Sequence, residues 1–371
     1  MDFSFSEEQQ EIQGLAAHIL GDKVTHERLK EVEASPEWFD RDLWGELAKA
    51  GLVGIALPED VGGGGFGILE AALVLEEIGR TVAPVPYFPT VVLGALPVAE
   101  FGSDEQRKRL LSGVAEGGTI LTAALAEELN TDPTSPSTSA RQDGGAWRLT
   151  GAKTLVPAAH LAASILVPAA TADGPVGVFL VDPEGSGVTL ERLITTSGEP
   201  QFNVTLDNAE GEALGDPGEG AAIVDWIVDR ATAALCAIQL GVCEQALKMT
   251  AEYTSTREQF DRPLAAFQAV AQRAADAYID TEGVRLTAWQ AVWRLAEGLP
   301  AANELAVAKF WAAEGGQRVV HAAQHLHGGI GVDVDYPLHR YFLWAKQCEL
   351  TLGSATPQLV KLGKALADEP V

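Results

Sequence analysis

Basic residues are scarce in this chain of 371 residues. Lysine and arginine together number 26 against 52 aspartate and glutamate residues, which gives a formal net charge of −26. Such an excess of negative charge disfavours binding to nucleic acid and to anionic membranes. It does not exclude one anionic ligand held in a local basic pocket.

The sequence also has few cysteines, no long apolar run and no basic segment at its start. The three cysteines do not have the spacing of a metal site, so no metal is predicted, and Cys236 and Cys243 are interpreted as small core residues on one helix face. No apolar run is long enough to span a bilayer. Residues 1–8 are acidic and carry no basic n-region, which predicts no secretory signal. We therefore expect a reducing, cytoplasmic location.

The chain is long enough for two or three domains with a substantial core. Helical patterns and glycine breaks predict an N-terminal α-helical domain over residues 1–118. Short apolar segments separated by glycine, proline and aspartate predict a middle β-domain over 119–218, with a mobile low-complexity loop at 130–139. Long apolar helix patterns predict a C-terminal four-helix-bundle domain over 219–371. The predicted fold class is α+β.

A charged turn at 256–263 separates two predicted long helices at 221–253 and 267–299. Pro263 lacks a backbone N–H and disfavours a helical residue before it, so the chain must turn here. The turn presents Arg257, Gln259 and Phe260. A guanidinium fork suits a pair of phosphate oxygens, although an arginine and an aromatic ring also serve for packing at helix corners.

A glycine turn at 328–331 follows a second apolar helix pattern that ends in His325 and His327. Three glycines in four residues allow positive φ and close backbone approach. Such a turn can expose N–H groups to an anion, but alone it is weak evidence. We interpret the two histidines as packing or hydrogen-bonding groups.

In this order and spacing, the two turns resemble the acyl-CoA dehydrogenase family, most closely the small partner-dependent members of actinobacterial steroid degradation. The resemblance implies the family fold, with an N-terminal helical domain, a middle β-barrel or sheet, and a C-terminal helical bundle. In that family, both turns of one subunit hold the ADP half of an FAD that sits mainly in the neighbouring subunit. The resemblance implies FAD contacts from Arg257, Gln259, Phe260, Gln268, His325, Gly328 and Gly329. His325 stands where the family usually has glutamine.

The family's reaction needs a carboxylate to remove the α-proton and an oxidised flavin to take the β-hydride. The resemblance puts that carboxylate at one of two positions, which here hold Leu352 and Ala231, so no catalytic residue is predicted. Glu349, three residues before Leu352, stays open as a displaced base. A solvated or salt-bridged glutamate is the commoner outcome for such a residue.

The flavin-facing segments of the middle domain also depart from the family pattern. Leu155 replaces a tryptophan, Pro157 replaces a hydroxyl residue, and 126–130 lacks the glycines and hydroxyl of the family's loop. The chain thus keeps what it would give to a neighbour's flavin and lacks what its own flavin would need.

The resemblance therefore implies an α2β2 heterotetramer of two such chains and two homologous catalytic chains, with FAD shared between unlike subunits. The acyl-CoA, most simply a steroid side-chain thioester, would lie mainly on the partner, with an electron-transfer flavoprotein or similar acceptor. Two alternatives stay open. One is a self-sufficient homo-oligomer that uses an unusual base such as Glu349, and the other is a non-enzymatic scaffold of the same fold.

Overall fold

The computed structural model describes residues 4–130, 132–172 and 174–368. They form two compact units. One comprises the described parts of Met1–Leu29, Ala72–Ala83 and Thr232–Val371, and the other comprises those of Lys30–Ala71 and Pro84–Ala231. Residues 1–3, which belong to the stretch interpreted as lacking a secretory signal, lie outside the described residues.

The first part of the chain is helical, as predicted. Ser6 and Ser103 start two of its helices, because each hydroxyl accepts the N–H of a glutamine three residues later, and that glutamine bonds back in a capping box. The helices are α1 (Glu7–Lys23), α2 (His26–Glu33), α3 (Arg41–Lys49), α4 (Ile68–Thr81), α5 (Leu96–Phe101) and α6 (Asp104–Ala115). A π-helical segment, Phe88–Ala95, leads directly into α5.

The middle of the chain forms a closed β-structure. The strands are β1 (Leu121–Ala123), β2 (Ser139–Asp143), β3 (Ala146–Pro157), β4 (Ser164–Thr171), β5 (Val176–Val181), β6 (Val188–Leu193) and β7 (Gln201–Leu214). The pairings β4–β2–β3–β7–β5 return to β4, while β1 and β6 add to this ring at β4 and β7. Leu149, Val156, Phe179, Val204 and Leu206 help to fill its apolar core. The predicted β-barrel is confirmed.

Strand β2 was not expected from the sequence. Its side chains are exposed except for Ala140, so no alternating apolar pattern marks it. The segment predicted as a mobile loop at 130–139 ends inside this strand, and Asn130 Nδ2 donates to the Ser135 carbonyl over 2.9 Å. Thr131 of that loop lies outside the described residues.

The last part of the chain is again helical. Its helices are α7 (Gly220–Thr256), α8 (Gln268–Ala296), α9 (Ala302–Phe310), α10 (Gly316–His327), α11 (Leu338–Leu350) and α12 (Ala355–Asp368), with a π-helical segment, Trp311–Gly315, between α9 and α10. Cys236 and Cys243 are buried and free, as expected. No helix among the described residues has the length and apolarity needed to cross a membrane.

Candidate functional site

The charged turn is a two-stranded hairpin that begins directly after α7. Strand β8 (Glu258–Gln259) pairs antiparallel with β9 (Arg262–Pro263). The two residues between them, Phe260 and Asp261, both have positive φ, +54° and +61°. This is the conformation of a tight hairpin turn, adopted here without glycine, and it holds Phe260 87% exposed.

The two arginines of the hairpin have different roles. The Arg262 guanidinium carbon lies 4.0 Å from the centroid of the Phe267 ring, a cation–π contact that braces the hairpin. Phe260 meets the same ring edge-on, with 6.3 Å between centroids. The Arg257 guanidinium, by contrast, makes no hydrogen bond or ion pair with any residue that the structure describes. It remains available to an external anion.

The glycine turn follows α10. Gly328 has φ +65° and ψ −141°, a conformation that favours glycine, and the predicted positive φ is confirmed there. A Cβ placed at Gly328 or Gly329 would meet no atom within 4 Å, so both backbones are open to a ligand. Gly331 differs, because a Cβ there would lie 2.9 Å from the Gln324 carbonyl oxygen.

A stack of rings connects the two turns. The rings of Tyr253 and His327 are nearly parallel, with 4.5 Å between centroids. His327 Nδ1 lies 2.8 Å from the Ala323 oxygen and Nε2 lies 3.2 Å from the Tyr336 hydroxyl, while burial lowers the pKa of His327. Tyr253 accepts the Arg257 N–H through its carbonyl, and His327 directly precedes Gly328. The stack therefore brings both turns to one end of the helical unit.

The other predicted contacts are exposed polar residues. Gln259 uses its amide to donate to the Glu258 carbonyl at 2.8 Å. Gln268 is the first residue of α8, next to Phe267, which contacts the hairpin. His325 is exposed on the last turn of α10. The Tyr253–His327 stack was missed by the sequence analysis, and its only signals were the positions of these rings just before the two turns.

Neither of the two positions that the family resemblance gives to the base carries a group that can transfer a proton. Leu352 lies just beyond α11 with φ +58°, followed by Gly353 at φ +92°, and Ala231 is buried within α7. The Glu349 carboxylate accepts a 2.6 Å bond from Lys346 and its side chain is only 14% exposed. The interpretation of Glu349 as a salt-bridged residue is confirmed.

The segment of the middle domain that departs from the family pattern is internally bonded. The Glu127 carboxylate lies 2.7 Å from Lys153 Nζ, and the two side chains are 5% and 0% exposed. It also accepts bonds from Ser137 and Thr138. Burial opposes ionisation, but the bonds from Lys153 and Thr138 prevail and lower the pKa of Glu127 to about 2.

Leu155 comes two residues after Lys153 in β3, where the pairing of β3 with β7 is irregular. It has φ +54° and is 53% exposed. Its neighbour Thr154 donates a backbone bond to the Ala126 carbonyl at 3.0 Å, which joins the two altered segments. The two altered segments are therefore bonded to each other and expose the apolar side chain of Leu155.

Comparison with known proteins shows the family to which the chain belongs. Residues 6–118 match the acyl-CoA dehydrogenase N-terminal domain, and residues 218–367 match the acyl-CoA dehydrogenase C-terminal domain. The chain is 44% identical to acyl-CoA dehydrogenase FadE27 of Mycobacterium tuberculosis, over 100% of both chains. The chain belongs to the acyl-CoA dehydrogenase family.

Solved structures of this family include near relatives of the chain. It is 50% identical to a chain of the Tcur3481-Tcur3483 steroid ACAD G363A variant, with a TM-score of 0.92 and 98% of each chain covered. It is 44% identical to a chain of the ChsE4-ChsE5 complex from Mycobacterium tuberculosis, with a TM-score of 0.95 and 100% of each chain covered. The predicted acyl-CoA dehydrogenase fold and the resemblance to heteromeric steroid dehydrogenases are confirmed, and the chain is a member of an oxidoreductase family.

Proposed function

We propose that this chain is the non-catalytic subunit of a heteromeric FAD-dependent acyl-CoA dehydrogenase. It contributes the ADP-side contacts of an FAD that a homologous catalytic subunit holds by its isoalloxazine end. The catalytic base and most of the acyl-CoA site belong to that partner. The isolated chain is inactive.

The observation that carries the proposal is an asymmetry within the chain. Arg257, Gly328 and Gly329 are exposed. The Arg257 guanidinium makes no hydrogen bond or ion pair among the described residues, and a Cβ placed at either glycine would meet no atom within 4 Å. At the two base positions stand Leu352 and Ala231, which cannot accept a proton. A symmetric assembly of this chain alone would combine intact nucleotide contacts with defective reaction centres, whereas an unlike partner resolves the conflict.

The residues present fit the ADP half of FAD. The Arg257 guanidinium, which has no partner within the described part of the chain, suits the pyrophosphate charge. Two glycines with open space above them let phosphate or ribose oxygens approach the backbone. The exposed Phe260 ring supplies an apolar face beside Arg257. This donor set recognises an anion and does not participate in proton transfer.

The chemistry divides between the subunits accordingly. FAD, when bound, would supply the acceptor for the β-hydride, and a carboxylate of the partner would supply the base for the α-proton. The residues of this chain orient and hold the ADP half of FAD. Arg257 neutralises the pyrophosphate, the Gly328 turn limits movement of the nucleotide, and Phe260 excludes water. An electron-transfer flavoprotein or a similar protein would be the electron acceptor of the complex.

The relatives support a proposal for the assembly and the substrate class. Two of the solved relatives, Tcur3481-Tcur3483 and the ChsE4-ChsE5 complex, each combine two different proteins, and the first is a steroid ACAD. Two copies of this chain with two catalytic chains and two FAD molecules form the simplest closed assembly. The substrate class that this supports is a bulky acyl-CoA, a steroid side-chain thioester, in cholesterol or steroid catabolism.

Replacement of Arg257 tests the proposal directly. In the complex with the catalytic chain, Arg257→Ala leaves the pyrophosphate without its counter-charge. We expect FAD affinity to fall by about 30-fold to 1,000-fold, as for other truncated charged contacts. Flavin fluorescence after dilution measures the release, and Arg273→Ala, an exposed arginine on α8, is the matched control.

Three outcomes separate the alternatives. Release of flavin by Arg257→Ala but not by Arg273→Ala supports the proposal. Retention of flavin by both variants contradicts it. A chain that binds FAD and oxidises acyl-CoA without a partner, and loses activity in Glu349→Gln, establishes the self-sufficient enzyme instead.

A further inference from the structure

The glycine turn is the start of an exposed loop, residues 328–335, which connects α10 to α11. The loop begins with a 3₁₀ turn, Gly328–Val332. Each of its eight residues is exposed except Gly331. A segment that buries so little surface opens at low cost in free energy unless its ends are held.

His327 joins the two ends of this loop. It directly precedes Gly328, and its Nε2 lies 3.2 Å from the hydroxyl of Tyr336, which directly follows the loop. The middle of the loop also packs on His327, because a Cβ at Gly331 would lie 3.2 Å from the His327 Cβ. The loop is therefore closed around one side chain, which is buried.

The imidazole of His327 is fixed in both orientation and protonation. Its Nδ1 lies 2.8 Å from the Ala323 carbonyl oxygen, and a carbonyl can only accept, so Nδ1 carries the proton and donates. Burial lowers the pKa of His327, which keeps the ring neutral at pH 7. In the neutral ring, Nε2 holds a lone pair, so the Tyr336 hydroxyl donates to it. A phenyl ring can make neither of these two bonds.

The face of the same ring contacts the other turn. It stacks on Tyr253, with 4.5 Å between ring centroids and 18° between ring planes. Tyr253 lies in the last turn of α7, and its carbonyl accepts the Arg257 N–H at 2.8 Å. The edges of the imidazole thus hold the glycine loop, while its face contacts the residue that bonds the backbone of Arg257.

We propose that His327 is a positioning residue, which fixes the spacing between Arg257 and the Gly328–Gly329 backbone so that one ADP group contacts both turns. The proposal rests on the proposed function. Two separate contacts to one ligand bind it tightly only when the protein already holds them at the spacing of the ligand. If the loop were free, its loss of conformational entropy on binding would offset part of the gain.

His327→Phe tests the positioning role. Phenylalanine keeps a ring that can stack on Tyr253 but loses the bonds to Ala323 and Tyr336. In the complex with the catalytic chain, we expect FAD affinity to fall by about 5-fold to 50-fold. Fluorescence of the flavin released on dilution measures the affinity, and circular dichroism verifies the fold. An affinity within about 2-fold of the unmodified complex would overturn the proposal.

Substitution of the two tyrosines isolates each contact of the imidazole. Tyr336→Phe removes only the hydroxyl that bonds Nε2, and we expect about 3-fold to 10-fold weaker binding of FAD. Tyr253→Leu removes the stacked ring, whereas Tyr253→Phe keeps it and is the matched control. FAD affinity should fall in Tyr253→Leu and stay unchanged in Tyr253→Phe. Equal affinities in these two variants would contradict the role given to the stack.

A double variant separates positioning from a general effect on stability. If His327 acts through Arg257, then Arg257→Ala already removes most of what His327→Phe can remove. We therefore expect the double variant to bind FAD no more than about 2-fold more weakly than Arg257→Ala alone. A ring that only stabilises the fold would act independently, so the two losses would multiply, and that result would overturn the proposal.

The isolated chain provides a test without flavin. At pH 7, the ring ¹⁵N resonances of His327 should show the neutral tautomer with its proton on Nδ1, and Tyr336→Phe should shift the Nε2 resonance. A proton on Nε2 instead would contradict the contacts on which the proposal depends.

The two proposals fail in different ways. If Arg257→Ala releases flavin while His327→Phe and Tyr253→Leu retain it, His327 does not position the site and the proposed function stands. If Arg257→Ala retains flavin, the proposed function fails and the role of His327 fails with it.

Discussion

Polar groups are exposed in the two turns at the end of the helical unit. In the altered segment of the β-structure, they are buried and bonded to one another. In the turns, Arg257, Gly328 and Gly329 are exposed, and the Arg257 guanidinium makes no hydrogen bond or ion pair with any residue that the structure describes. In the altered segment, Glu127, Lys153 and Thr138 satisfy one another out of contact with water. The turns can therefore offer a guanidinium and open space to a ligand, whereas the polar groups of the altered segment are already used inside the protein.

The cost of each arrangement explains the difference. An exposed guanidinium remains hydrated and costs little until an anion arrives. A buried carboxylate needs its full set of bonds, because desolvation otherwise exceeds the Coulombic gain. The first arrangement suits a site for an external ligand, and the second suits a segment that only maintains the fold.

The largest expected effect on stability comes from removing one partner of the buried Glu127–Lys153 ion pair. Lys153→Met removes the cation and leaves the buried Glu127 carboxylate uncompensated, so unfolding free energy should fall by about 3–5 kcal/mol. Urea unfolding measures it. The double variant Glu127→Gln, Lys153→Met should recover most of the loss. A loss below about 1 kcal/mol in Lys153→Met would mean that the pair is solvated and the segment is not sealed.

The second effect concerns acid stability. The pKa of Glu127 is about 2 in the folded chain, below its ordinary value of 4.5. The stability that the ionised carboxylate gives to the fold is therefore complete above pH 4.5 and is lost as the pH falls toward 2. Thermal unfolding of Glu127→Gln should therefore show a shallower decline over this window than the unmodified chain. Equal slopes in both proteins would contradict the assignment.

Alanine at the two glycines separates fold from ligand binding. Gly328→Ala forces a side chain into a backbone region that L-residues rarely adopt, at a cost of about 1–3 kcal/mol in stability. Gly329→Ala has no such strain, so its stability should change by less than about 0.5 kcal/mol. If the turn holds the nucleotide, Gly329→Ala still loosens FAD in the complex. Unchanged FAD retention in both variants would remove the glycine turn from the site.

The smallest expected effect is from Leu352→Glu. A carboxylate at one base position does not restore the flavin-facing groups replaced at Leu155 and Pro157. The isolated variant should remain colourless and inactive with a steroid side-chain CoA in a dye-reduction assay. Turnover by this single variant would show that only the base was missing.

Local signals predicted most of the fold. The Ser103 cap and its glutamine mark the start of α6, and Pro263 marks the turn after α7. Strand β2 escaped prediction because only Ala140 of its five residues is buried. Its place is set by pairing with β3 and β4, which a local pattern does not contain.

The candidate site could be predicted only in part. Arg257, Phe260 and the glycines stand out as residue types in short segments. Their connection through the Tyr253–His327 stack joins helices far apart in the chain, so the spacing of residues does not reveal it. The Glu127–Lys153 pair is likewise a contact between residues 26 positions apart.

Flavin content with and without the partner is the measurement that tests the central claim most directly. The chain is purified alone and after co-expression with its catalytic partner, and FAD absorbance is compared with subunit mass from light scattering. The account predicts no FAD on the chain alone and one FAD per pair of unlike chains in the complex. A yellow, active homo-oligomer of this chain alone would contradict it.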